Sequence, residues 1–90
     1  MVQIKFHEET DMPSSMRYFL IRKLAIYEAL ETSNLVIAEE IRREFERVYD
    51  GYWKCWYNPL GHHHRLQSRP NPGTLAVFDY KDRLWKLYSP

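Results

Sequence analysis

Ninety residues with 13 basic and 12 acidic side chains carry a formal charge of +1, too weak a field to favour nucleic acid or an anionic membrane. An apolar fraction of 44%, with 28% charged and 16% aromatic residues, excludes a disordered chain and fits one small domain with an aromatic excess. One cysteine, Cys55, excludes an internal disulfide and fits a reducing compartment; no apolar run reaches signal-peptide or membrane-spanning length, so a cytoplasmic protein is expected.

Val2, Ile4 and Phe6 alternate with Gln3 and Lys5, the period of a short strand over 2–6. "HEETDMPSS" breaks it. Pro13 suits the first turn of a helix, where its missing N–H is no loss, and Asp11 lies in the cap region. The first helix is expected over 13–31, with Met16, Leu20, Leu24, Tyr27 and Leu30 as its apolar stripe and Phe19 beside them. "ETSN" ends it, and Ser33 or Asn34 can cap the next helix. That second helix is expected over 34–49, with Ala38, Ile41, Phe45 and Val48 as its stripe. Glu39 and Glu40 lie early and Arg47 late, as the helix dipole favours, and Asp50-Gly51 is a strong stop.

The period then changes to two. "YWKCWY" (52–57) predicts a strand with Trp53, Cys55 and Tyr57 on one face and Tyr52, Lys54 and Trp56 on the other. Asn58-Pro59 breaks it. "LGHHHRL" (60–66) is a weaker strand, "QSRPNPG" (67–73) a loop, and "TLAVF" (74–78) and "LWKLY" (84–88) are two further strands. "DYKDR" between those two lacks glycine, which predicts a turn built on type I. The order β-α-α-β-β-β-β is that of an α+β fold, two helices packed on one antiparallel sheet. If the helices cover the Trp53/Cys55/Tyr57 face, Tyr52 and Trp56 lie on a face that nothing else in the chain covers. An aromatic surface of that kind is expected to meet a second molecule.

"IAEEIRREFERVYDGYWKC" (37–55) resembles the dynein light chain type 1/2 family, whose matching segment also has an Ile-Ala start, two basic residues, Glu-Phe, a Tyr, and a Trp-x-Cys that opens a strand. Here these are Ile37, Ala38, Arg42, Arg43, Glu44, Phe45, Tyr49, Trp53 and Cys55. The resemblance extends back through Asp11-Met12 and Met16 and forward through Leu60-Gly61 to the terminal hairpin. It implies a sheet completed by a dimer mate through exchange of a strand, here most like 60–66, with no catalysis and no cofactor. It also implies that extended partner segments, dynein intermediate chains among them, dock by adding a strand to the sheet edge. The location implied is the cytoplasm and cytoskeleton, in a cytoplasmic or ciliary dynein. The implied peptide-binding residues are Leu60, Gly61, His62, His63, His64, Arg65 and Leu66, with Thr74, Ala76 and Phe78 on the next strand. The implied dimer interface is Tyr52, Lys54, Trp56, Leu60, His62 and His64.

This sequence departs from the family at Lys54, where the family has an interfacial histidine. Near a two-fold axis Lys54 would face its own copy, so a heterodimer with another light chain is favoured over a homodimer. Basic residues at 62–65, and Thr74 and Ala76 in place of family aromatics, make the family's Thr-Gln-Thr peptide preference an unsuitable expectation here.

Three other chemistries carry less weight. Zinc needs three or four converging ligands, and a strand places only His62 and His64 on one face; no metal is expected. If those imidazoles are exposed they titrate near physiological pH, which would make binding pH-sensitive. Cys55 between Trp53 and Tyr57 reads as a buried, inert thiol rather than a nucleophile. Aromatics among basic residues could instead stack on single-stranded nucleic acid, or the chain could be a scaffold module unrelated to dynein, but near-neutral charge disfavours the former.

Overall fold

The computed structural model describes residues 2–62 and 65–90. Its elements are β1 (Lys5–Phe6), α1 (Ser14–Ala29), α2 (Asn34–Tyr49), β2 (Lys54–Pro59), β3 (Ala76–Tyr80) and β4 (Arg83–Tyr88). The strands form one antiparallel sheet in the order β1-β3-β4-β2, with the helices on one face.

Both helices sit where local signals put them. α1 starts just after Pro13, whose carbonyl accepts from the Met16 and Arg17 amides. Asp11 is not its cap: both of its carboxylate oxygens accept backbone N–H bonds, from Gly73 and Leu75, each at 2.9 Å, and so tie the segment before β3 to the segment before α1. α1 ends in a Schellman arrangement, with Thr32 N–H donating to Tyr27 O and Glu31 N–H to Glu28 O. Glu31 takes the left-handed position, φ 54°, that glycine usually fills. Leu30 lies past the last full turn and is 72% exposed, so it leaves the expected stripe, while Leu20 and Leu24 are fully buried. α2 is capped by Ser33, whose Oγ accepts from Val36 N–H, and is stopped by Asp50 and Gly51, both at positive φ. Its buried side chains are Ile37, Ala38, Ile41 and Phe45. Val48, expected in this stripe, is 42% exposed; Tyr49, one full turn beyond Phe45, takes the inward place and packs on Phe45 and Trp53.

The sheet differs more from expectation. β1 shrinks to two residues because Phe6 pairs with Phe78 and Lys5 with Asp79; two residues further back Gln3 would have to pair with Lys81, where β3 has already turned. β2 starts later than expected and runs through Asn58 and Pro59, which pair with Leu84 and Arg83. Proline is tolerated there because β2 is an edge strand and its missing N–H costs no ladder bond. Residues 60–62, 65 and 66 are in no strand, and His62 N–H closes a turn onto Pro59 O. The β3–β4 connection is a two-residue turn with Lys81 at φ 51° and Asp82 at φ 58°, a type I′ geometry rather than the expected type I. The right-handed twist of the two strands selects the primed turn even without glycine.

Under the helices, register sets one aromatic row across all four strands: Tyr57, Trp85, Phe78 and Phe6 lie side by side. Ring centroids are 4.8 Å apart for Tyr57–Trp85, 6.1 Å for Trp85–Phe78 and 5.8 Å for Phe78–Phe6. Phe45 of α2 joins them through Trp53, 4.9 Å away. The opposite face is not left bare, contrary to the sequence reading. Val77, Leu84, Lys86 and Tyr88 on it are buried. The chain between β2 and β3 returns across this face: Ser68 Oγ meets Tyr88 OH at 3.1 Å, and Asn71 N–H donates to Ser89 O. Trp56 is half-buried with its ring edge-on to Tyr88, and Tyr52 stands 81% exposed.

Candidate functional site

Among the described residues β2 is bonded on one side only, to β4, so alternate residues along it turn backbone N–H and C=O outward, save that Pro59 has no N–H and its C=O accepts from His62. Beside this open edge runs a groove of about 540 Å³. Its walls are Trp53 to Trp56 and Asn58 from the strand, Arg42 from α2, and Arg65 and Gln67 from the returning segment. A second hollow, of about 500 Å³, lies at the other end of the sheet among Lys5, Glu28, Asp79, Lys81 and Asp82. The edge strand beside it, β1, is only two residues long, so it offers no comparable run of open-edge backbone.

The groove wall on the helix side is a fixed ionic cluster. Arg42 bonds Glu39 at 2.6 Å and Glu46 at 2.7 Å. The hydrogen bond from Arg42 holds Glu39 below the usual carboxylate range, and Glu39 in turn raises Arg42. The second oxygen of Glu46 accepts the Trp53 N–H at 3.2 Å, and Trp53 Nε1 donates to Asp50 O at 2.9 Å. Those two bonds fix the entry into β2 and hold Trp53 in the core. Lys54 points away from the cluster. Its ammonium donates to Ser68 Oγ at 3.5 Å, and neither Lys54 nor Arg65 has a carboxylate partner among the described residues. Asn58 Nδ2 is buried with no acceptor among the described residues. Cys55 is among the groove's lining residues, yet burial pushes its thiol up to about 12. A thiol held that far from ionisation is a poor nucleophile at neutral pH. Among the described residues no three of His, Cys, Asp and Glu converge as metal ligands, and none of the helices is long and apolar enough to cross a membrane.

The expected site residues separate into three sets. Lys54 and Trp56 line the open edge, Arg65 lies across the groove, and Tyr52 is exposed just before the strand. Leu60, Gly61 and His62 are exposed in the turn that leaves β2, and Leu66 is half-buried; His63 and His64 lie outside the described residues. Ala76 and Phe78, however, are fully buried beneath the helices, and β3 is an interior strand bonded on both sides. Thr74 spends its hydroxyl inside the chain, donating to Asn71 O at 2.8 Å and accepting from Ser89 N–H at 3.1 Å. Ala76 and Phe78 cannot line an edge, since β1 and β4 occupy both sides of β3. Sequence reasoning missed Arg42, Asn58 and Gln67. The Arg42-Arg43 doublet was visible, but its nearness to β2 depends on how α2 crosses the sheet.

No family model matches the chain, and no curated protein does. Among solved structures, two crystals of the dynein light chain-like domain of the Fasciola hepatica calcium binding protein FhCaBP2 match it. One has a TM-score of 0.76, covering 97% of this chain and 91% of that one; the other has 0.78, covering 99% and 92%. Both are 13% identical in sequence. The chain therefore has the dynein light chain-like fold over its whole length.

Proposed function

We propose that the chain is a non-catalytic docking and dimerisation module that accepts an extended protein strand on the open edge of β2, acting as a light chain of a dynein complex. The observation that carries this reading is the edge itself. Along this six-residue strand alternate residues turn their backbone N–H and C=O outward beside a groove, in a fold shared with dynein light chain-like domains. Backbone hydrogen bonds along such an edge supply affinity, and flanking pockets supply choice of side chain. The segment 60–66, outside any strand where it is described, is the natural candidate to leave its own chain and complete the sheet of a dimer mate. With Lys54 on the receiving strand, the mate favoured is another light chain rather than a second copy. The partner segment favoured is that of a dynein intermediate chain.

Amide hydrogen exchange tests this directly. The chain is compared alone, with candidate light chains, and with overlapping peptides covering a dynein intermediate chain. Strand addition should protect the outward-facing alternate amides within 54–58 and leave β3 unchanged. Protection confined to the helices, or none with any mate or peptide, would sink the proposal.

A further inference from the structure

We infer that the occupant of the β2 edge is an acidic extended segment, one with a carboxylate opposite Lys54 and another within reach of Arg65. This rests on the strand-docking reading and names the chemistry of its partner.

Charge on the groove wall points one way. Its charged lining residues are Arg42, Lys54 and Arg65, all cationic. Arg42 is already neutralised by Glu39 and Glu46, so it adds little. Lys54 and Arg65 have no carboxylate partner among the described residues, and Ser68, which Lys54 touches, is neutral. An antiparallel strand added to β2 places one of its residues directly opposite Lys54, with Cβ atoms about 4.5–5.5 Å apart. A Glu or Asp there completes an ion pair with no rearrangement of the edge.

The face that carries Lys54 continues with Trp56 and Asn58 at two-residue steps, about 6.6 Å each. Trp56 gives an apolar platform next to the cation. Asn58 ends this face with a polar side chain that lines the groove. One strand with an acid and an apolar residue at alternate positions meets Lys54 and Trp56 together.

The same arithmetic weighs against a second copy. The exchangeable segment of this chain, "LGHHHRL", has no acidic residue and carries Arg65 itself. Laid on β2 of another copy it sets cation against cation at Lys54. A like pair directly opposite is destabilising where an unlike pair stabilises.

The test is selection from a phage-displayed library of random 12-residue peptides against the full chain, in parallel with the Lys54→Glu/Arg65→Glu variant. The wild-type chain is expected to enrich Asp and Glu at alternate positions, and the charge-reversed variant Lys and Arg. A synthetic copy of a selected peptide should bind about fivefold more weakly for each Glu→Gln change, the size of one exposed ion pair, and more weakly in high salt. Should the double variant fail to fold by circular dichroism, Lys54→Gln and the salt dependence of wild-type binding carry the same comparison. Selected peptides without acidic enrichment, or Glu and Gln peptides of equal affinity, overturn the charge inference and leave strand docking in place. A library with no binders, or binding that survives N-methylation of alternate peptide amides, removes strand docking itself. A tight homodimer of the wild-type chain by sedimentation also overturns the inference.

Discussion

Replacing Phe45 by alanine removes the ring at the junction of α2 with the sheet. Phe45 has no accessible surface, and its ring lies 5.4 Å from Phe19, 5.3 Å from Tyr49 and 4.9 Å from Trp53. The loss combines the transfer free energy of a buried ring with the cavity left among three other rings, which cannot collapse without leaving their own contacts. Such Phe→Ala changes cost about 3–5 kcal/mol. A domain of this length has about 5–13 kcal/mol in total, so the variant keeps between almost none and about three quarters of its stability. At about 4–8 °C per kcal/mol the melting temperature should fall by roughly 12–40 °C. Urea and thermal unfolding followed by circular dichroism and tryptophan emission measure both quantities. Val48→Ala is the control: it lies one turn away in the same helix but 42% exposed, so it should stay within about 0.5 kcal/mol of the parent. A Phe45→Ala loss no larger than that of Val48→Ala would refute the assignment of α2's inward face and the packing built on it.

Glu31→Gly should stabilise the chain by about 1 kcal/mol by relieving a left-handed non-glycine residue, and Glu31→Ala should give no such gain; urea midpoints decide it. Burial pushes the Cys55 thiol from 9.0 to about 12, and burial, with Glu28 beside it, pushes Tyr80 from 10.0 to about 12. The unfolded chain therefore loses these protons first, so their stabilisation is complete below about pH 9 and declines as pH rises towards 12. Urea midpoints should fall over that range, and Cys55→Ala should flatten the first part of the fall; a curve unchanged in Cys55→Ala would contradict the embedded thiol. Lys54→His should tighten self-association. Two ammonium groups about 6 Å apart at an effective dielectric near 20 repel by about 3 kcal/mol before screening, roughly a hundredfold in Kd. Sedimentation equilibrium measures this, and a nanomolar wild-type homodimer no weaker than the variant would refute it.

Much of the helical half is written locally. α2 occupies 34–49 as read, because its start is a serine hydroxyl three residues from the amide it caps and its stop is Asp50-Gly51 in left-handed backbone. Its ladder bonds join residues four apart, so a short window of sequence contains both partners of every bond. The α1 stripe, the core-facing Trp53, Cys55 and Tyr57, and the terminal hairpin followed from period and propensity for the same reason. The ends of these stripes did not: whether Leu30 or Val48 is covered depends on where the neighbouring element stops.

The candidate site lay further from reach. Tyr52, Lys54 and Trp56 could be placed on one face of a strand by counting, yet the sequence gives no rule that β4 should pair with both β3 and β2, or that β2 should be left as the edge. Those pairings join residues tens of positions apart, such as Lys54 with Tyr88 and Phe6 with Phe78, and every one depends on the others being made. Strand order turned Ala76 and Phe78 from groove candidates into buried core and brought Arg42 and Arg65 to the edge. It also laid the 65–75 segment over a face expected to be bare. The sequence by itself determined which residues are helical, which alternate, and which carry charge. The tertiary structure decided which backbone is left unpaired and which charges stand beside it, because hydrogen bonds between strands are satisfied or left open only when distant segments meet.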